Sequence, residues 1–195
     1  MYFYTNGKLA YLKIPKNACM SWAHVLDNLG WEEQDLYIPR QPLDDLVFFG
    51  LLREPDRRHT QGLAQYLKNQ KLEHLLKDEF FQRILVSAVF DEHTYNIHSM
   101  IPSDIIKRTN WFIIDHQHYN YEQLVRNFLQ QHNVDLPPVP RINVSSDQHK
   151  QLQTKINELK IKHHDSHQKL AKNFLGSDLR LYRTQILNQH IWDTQ

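Results

Sequence analysis

Two cations stand directly after short apolar runs, an arrangement that suits a ligand with two separated anionic groups. Lys16 follows LAYLKIP, Leu9 to Pro15, and leads a turn of small and polar residues, Asn17-Ala18-Cys19. From Met20 onward, Trp22, Val25, Leu26 and Leu29 have helical spacing, and Gly30 supplies a terminator. A strand, a turn bearing one lysine and a helix start form an anion cradle, because the first amides and the positive dipole end of the helix face the turn. The simpler alternative is an ordinary strand-to-helix connection whose lysine points at solvent. Arg53 closes a second run, LVFFGLL, Leu46 to Leu52, and Pro55 is fitted to the first turn of a following helix. Arg57 and Arg58 on that helix add charge-assisted donors, or else form a solvated face with Glu54 and Asp56.

The elements that must position these cations follow from hydrophobic periodicity. Tyr2 to Tyr4 and Leu9 to Ile14 flank Asn6-Gly7, a two-residue hairpin signal. Glu32 to Asp45 contains Pro39 and Pro42 and reads as a loop. Leu63, Tyr66 and Leu67 give the helix after Arg53 an apolar side, and Lys71 to Phe90 repeats apolar residues at helical spacing. Trp111 to Ile114 is a third short strand, followed by the polar run DHQHYNY. Tyr121 to Gln131 reads as a helix, and LPPVPRINVSS as a proline-rich loop. From Asp147 the chain is helical, as one long helix or two, before a last apolar helical segment from Leu179 to Leu187. Strands alternating with helices predict an α/β layered fold with a central, mainly parallel sheet flanked by helices. Parallel strands would put the ends at Ile14, Leu52 and Ile114 on one sheet edge, where such folds bind ligands. Lys16, Arg53 and the Asp115-His116 turn would then share one site.

The chain has 195 residues, 41% hydrophobic and 23% charged, which fits one globular domain over 1–195. A net charge of +1 argues against a general nucleic-acid or membrane-surface binder while allowing a local basic pocket. One cysteine excludes an intrachain disulfide and disfavours a zinc–thiolate site. Neither a secretory signal nor an apolar run of membrane-spanning length is evident, so the expectation is a soluble, cytoplasmic protein. The thirteen histidines include Asp115-His116 with His118, and His163, His164 and His167. Without a third separated ligand, polar helix is the better reading of the second group, and no metal is expected. Asn143-Val144-Ser145 matches a glycosylation sequon, incidental in a chain without a signal.

The residues resemble a known family. IPKNACMSW looks like the 5′-phosphosulfate-binding loop of sulfotransferases that use 3′-phosphoadenosine 5′-phosphosulfate (PAPS). LLREPDRRHTQGLAQY is similar to their second motif, a strand ending in Arg-x-Pro-x-x-Arg that grips the 3′-phosphate. FDEHTYNIHSMIP, PRINVSS and FLGSDLRLY resemble later segments of the carbohydrate (Golgi-type) branch, in the family's order, from Leu9 to Tyr182. The resemblance implies a P-loop-NTPase-like fold and sulfuryl transfer from PAPS to a hydroxyl acceptor, a saccharide by analogy with that branch, leaving adenosine 3′,5′-bisphosphate.

Carried over residue by residue, the likeness assigns Lys16 to charge developing at the leaving phosphate. Backbone amides from Asn17 through Ala18, Cys19 and Met20 to Ser21, with the Ser21 hydroxyl, would hold the 5′-phosphate, with Lys16 and Trp22 also in the cofactor-binding set; Arg53 would bind the 3′-phosphate, with Arg58, a neighbouring hydroxyl or Gln61 assisting. Ser145 joins the cofactor-binding set. His93 is the first choice of general base, with Asp91 to orient it; Glu92 is the second, and His98 and His118 follow. Two departures stand out. Met20 replaces a usual threonine, and Gln61 stands where a serine is expected, with Thr60 as a substitute. These support the alternative of a degenerate relative that binds adenosine phosphates or a partner without catalysis. A third possibility, a kinase, is disfavoured because no GxxxxGK[ST] sequence is present. Cys19 at a helix start lacks the arginine of a phosphatase loop, since Val25 occupies that position.

Overall fold

A computed structural model describes residues 1–88, 91, 93–115, 120–140 and 146–192, with side chains to 187. Five strands form one mixed sheet in the order β3-β1-β2-β4-β5. They are β1 (Tyr2–Thr5), β2 (Leu9–Leu12), β3 (Glu32–Asp35), β4 (Val47–Leu52) and β5 (Asn110–Ile113). The inner strands β2, β4 and β5 run parallel, whereas β1 pairs antiparallel with both β2 and β3. In register, Leu12 lies opposite Gly50 and Leu52 opposite Ile113, so the residues that follow these strands emerge on one edge. This is the shared edge that the apolar runs predict.

Period-two alternation divides the core. Ala10, Leu12, Phe48 and Leu52 point to one face, and Leu9, Tyr11, Phe49 and Leu51 to the other. The first face is covered by α4 (Ile97–Met100), α5 (Ser103–Arg108) and α9 (Gly176–Trp192), the second by α1 (Cys19–Asn28) and α6 (Tyr121–Gln131). A third cluster joins α2 (Pro55–Asn69), α3 (Phe81–Ala88) and α7 (Asp147–Lys162), and α8 (His164–Phe174) follows. Burial on both sheet faces explains why β4 reads as continuous apolar sequence. No described helix is long and apolar enough to cross a membrane.

Several local expectations are corrected. Strand β1 ends at Thr5 and β2 begins at Leu9, so residues 6–8 form a longer connection than two residues. Asn6 Oδ1 accepts from the amides of Lys8 and Leu9, at 3.0 and 2.9 Å, and Gly7 takes φ 87°. Within the expected loop from Glu32, residues Glu32–Asp35 form β3, an edge strand held by backbone pairing to β1. The run from Lys71 to Phe90 is not one helix. Lys71 takes φ 57°, and Leu72 N–H donates to the Leu67 carbonyl at 2.8 Å, closing α2 with a left-handed cap. Short 3₁₀ turns at Glu73–Leu75 and Asp78–Phe80 then bring Leu76 into the core and lead to α3, whose first residue, Phe81, is buried. Val89 and Phe90 lie outside the described residues.

Candidate functional site

The turn after β2 is held in a conformation that its sequence does not favour by itself. Lys16 and Ala18 both take positive φ, 65° and 57°, although neither is glycine. Left-handed backbone costs an L-residue roughly 1–2 kcal/mol, so two such residues require support. Asn17 supplies it. Its side chain is fully buried, and Nδ2 donates to the Leu51 carbonyl of β4 at 2.7 Å. Below it, Trp22 is buried among the residues of α1 and the sheet, its ring 6.0 Å from that of Tyr11. Left-handed residues alternating with ordinary ones turn successive N–H groups toward one concavity. No side chain caps α1, and the amides of Cys19 and Met20 have no acceptor among the described residues. The end of α1 is orderly by contrast. Gly30 at φ 75° and Trp31 donate to Asp27 and Leu26, each at 2.9 Å.

Two glutamines one turn apart on α2 receive the two cations. Lys16 Nζ donates to Gln65 Oε1 at 3.2 Å, and Gln65 Nε2 in turn donates to Asn69 Oδ1 at 2.7 Å, which fixes the amide's direction. Arg53 Nη1 donates to Gln61 Oε1. Arg53 Nε lies 4.0 Å from Asp115 Oδ2, an ion pair without a hydrogen bond. Asp115 also accepts from the Glu54 amide, at 3.2 and 3.1 Å on its two oxygens, and from the Tyr182 hydroxyl at 3.3 Å. It therefore ties the ends of β4 and β5 and helix α9 to one point. Burial pushes the Lys16 ammonium below the ordinary lysine pKa, and nearby Arg53 adds to the shift. An anion in the turn would relieve both effects.

Lys16 and Arg53 line a single cleft of about 1110 Å³. Lys13, Lys68, His93 and His149 line it too, and Glu122 is the lone carboxylate among its described lining residues. Such a wall concentrates positive potential around a buried space. His149, on the first turn of α7, has its pKa lowered by burial and then by Lys16 and Lys68. His93 Nδ1 lies 2.8 Å from Asp91 Oδ1, which also accepts the His93 amide at 2.9 Å. A carboxylate on Nδ1 leaves Nε2 as the proton acceptor. The His93 backbone rests against Gly62 of α2 so closely that a Cβ there would overlap its carbonyl oxygen.

The cleft thus gathers Lys16, Ala18, Cys19, Met20, Ser21, Arg53, Gln61 and His93. Other residues expected there are used elsewhere. Arg58 is 1% exposed, and its Nη2 donates to Asp178 Oδ2 at 2.9 Å and to the Tyr95 carbonyl at 2.6 Å. It is a strut between α2 and α9, not a cleft cation, because its side of α2 faces the interior. Trp22 contributes neither ring nor amide, since its N–H donates to Ala18 at 3.3 Å. The Asn17 amide likewise donates to Ile14, at 3.3 Å. Thr60 is buried, donating to Asn157 Oδ1 at 3.1 Å and accepting from Lys160 at 2.8 Å, so it cannot replace Gln61. His98 is held by Asp178 at 3.2 Å. Arg57 pairs with Asp115 at 3.9 Å, while Asp56 pairs with Lys160 and His167, each at 2.8 Å. His163 pairs with Asp78 at 2.6 Å. Among the described residues no cluster of metal-ligating side chains occurs. Glu92, His116, His118, Asn143 and Ser145 lie outside the described residues.

Sequence reasoning did not find Gln65, Lys68, Tyr121 or His149. Gln65 had a usable signal, since it lies four residues beyond Gln61 on one helix face. Lys68 and His149 had none, because they meet only where α7 packs on α2. Comparison with family models, with curated proteins and with solved structures returned no match.

Proposed function

We propose that the cleft binds PAPS and that the protein transfers its sulfuryl group to a hydroxyl acceptor. The observation that carries this reading is the pairing of Lys16 and Arg53, each following a parallel strand, across one cleft beside the uncapped start of α1. A ligand phosphorylated at its 5′ and 3′ ends matches two separated cations better than a single phosphate does. The P-loop-like identity of the sheet belongs to the same proposal. In it, the amides of Cys19 and Met20 receive the 5′-phosphate and Arg53, braced by Gln61, the 3′-phosphate.

Transfer is an in-line displacement. The acceptor oxygen bonds to sulfur as the bond from sulfur to the 5′-phosphate oxygen breaks, and adenosine 3′,5′-bisphosphate leaves. His93 Nε2 takes the acceptor proton, with Asp91 stabilising the imidazolium. Lys16 stabilises the charge that grows on the departing oxygen. Most of the rate advantage comes from holding these groups in line.

A second reading, binding without transfer, is favoured by one observation. Met20 is 49% exposed in the cleft and offers no hydroxyl, and Gln61 already accepts from Arg53. A sulfate-transfer assay over an acceptor panel, on wild type, Lys16→Ala and His93→Ala, separates the two. Turnover lowered at least about hundredfold by each substitution supports the enzyme. Turnover undiminished in Lys16→Ala refutes its role, and no turnover alongside bisphosphate binding supports the binder.

A further inference from the structure

Helix α7 packs on α2 along the cleft and brings to it a histidine that no carboxylate holds. Gln61, Gln65 and Lys68 follow one another at one-turn spacing on α2, and all three line the cleft. Ser146, the N-cap of α7, and His149 in its first turn line it as well. The His149 amide donates to Ser146 Oγ at 3.3 Å, so the cap fixes the backbone there without help from the imidazole. Lys68 and His149 also line a smaller adjoining recess with Lys155 and Glu73.

The charges around His149 differ from those around its neighbours on these helices. His163 pairs with Asp78 at 2.6 Å and His167 with Asp56 at 2.8 Å. His149 instead faces Lys16 from the turn after β2 and Lys68 from α2. On α7 itself, Asp147 is taken by Lys150 at 3.1 Å. Glu122, the carboxylate of the cleft wall, accepts from the Tyr121 hydroxyl at 3.2 Å. Neither the His149 ring nor the Lys68 ammonium has a hydrogen bond or ion pair among the described residues. Burial, and then the two ammonium groups, hold the imidazole below the ordinary histidine pKa, so in the free protein it is neutral at neutral pH. A phosphate among Lys16, Lys68 and His149 reverses that balance, because it neutralises the lysines and accepts a charge-assisted hydrogen bond from the ring.

Resting on the reading of the cleft as a PAPS site, we infer that His149 is a further binding residue for the 5′-phosphate, neutral while the cleft is free and protonated when the anion is bound, so that the ligand enters together with a proton from solvent. The 5′ end is the group concerned because Lys16, which His149 faces, stands beside the uncapped start of α1. The departing phosphate gains a negative charge as its bond to sulfur breaks, and the imidazolium shares that charge with Lys16. Between the imidazole's free and bound pKa values, each unit of rising pH weakens binding by up to about tenfold.

Calorimetry with adenosine 3′,5′-bisphosphate, in buffers of different ionisation enthalpy at constant ionic strength, counts the protons taken up. Between pH 7 and 8 the ligand's own phosphates, which ionise at about 6, contribute little. Wild type should take up about half a proton at pH 7 and lose about threefold in affinity by pH 8. His149→Gln should lose both the uptake and the slope, and His149→Lys, with a fixed charge, should restore affinity at pH 8 without a slope. The side chain is half-buried and the cap bond uses only the backbone, so both variants keep the fold. Equal uptake in wild type and His149→Gln assigns the proton to another group, such as His93, and overturns the inference. Binding without uptake in wild type overturns it too and leaves the bisphosphate site standing. No binding by any of the three proteins at millimolar ligand overturns the PAPS reading itself.

Discussion

Replacing Arg58 with methionine removes a guanidinium that is 1% exposed and leaves Asp178, also 1% exposed, without its cation. Asp178 keeps the Ile97 amide, 2.9 Å from both carboxylate oxygens, and His98 Nδ1 at 3.2 Å. Those donors do not balance a full buried charge in place of a guanidinium. Breaking a buried pair from one side costs about 3–5 kcal/mol, a large share of the roughly 5–15 kcal/mol that holds a domain together. Replacing both partners, Arg58→Met with Asp178→Leu, removes both charges and leaves chiefly the Ile97 N–H unsatisfied, at about 1–3 kcal/mol. The double variant is therefore expected to be more stable than Arg58→Met alone, by about 2 kcal/mol. Urea unfolding followed by circular dichroism measures both, and bisphosphate titration below the transition shows whether binding survives. The folded fraction of each variant should bind as wild type does. A loss below 1 kcal/mol in Arg58→Met, together with abolished binding, would make Arg58 a ligand and refute the strut.

Three further expectations follow from individual contacts. Asn17→Ala removes the bond that props the left-handed turn and should cost about 1–2 kcal/mol while weakening bisphosphate binding about tenfold; unchanged affinity would mean that the turn holds without it. Gly62→Ala drives a methyl into the His93 carbonyl and should lose about 1–3 kcal/mol despite better helix propensity, with turnover falling further than bisphosphate affinity. Equal or greater stability in that variant would show the contact to be slack. His59 is fully buried with no partner for either ring nitrogen among the described residues, facing Lys160, Asp56, Arg58 and His167, and burial holds its pKa well below the usual imidazole range. The unfolded chain then binds a proton below pH 6.5 that the folded one refuses, so stability present above that pH falls by about 1.4 kcal/mol per unit as pH drops. His59→Leu should lose that component of the slope between pH 6.5 and 5; parallel stability curves for the two proteins would refute it.

The parts of this molecule legible in its sequence are those fixed by local periodicity. Leu9 to Ile14, Leu46 to Leu52 and Trp111 to Ile114 announce parallel strands because both faces are covered, and their alignment places Lys16, Arg53 and Asp115 on one edge. Helix α6 spans Tyr121–Gln131, as its apolar spacing predicts. Strand β3 was hidden because EEQD has no apolar face and is a strand only by pairing with β1. The helix expected from Lys71 was misleading because consecutive turns can deliver apolar residues at nearly helical spacing. The arginines of α2 carry the sharpest lesson. Arg53 and Arg58 look alike in a motif, but Asp178 lies 120 residues further along the chain, and only the folded molecule shows which arginine it takes. The reach of Asp91 to His93 is local, yet it depends on Gly62 letting that segment lie against α2. His149 and Lys68 belong to tertiary packing alone.

The central claim is a site for a ligand phosphorylated at both ends, and calorimetry with adenosine 3′,5′-bisphosphate tests it most directly. Wild type should bind in the micromolar range, and Lys16→Ala and Arg53→Ala should each weaken binding at least tenfold, since each removes a charge-assisted contact of about 1.5–3 kcal/mol. Raised salt should weaken it further. Absence of binding at millimolar ligand, or binding indifferent to both substitutions, would contradict the account.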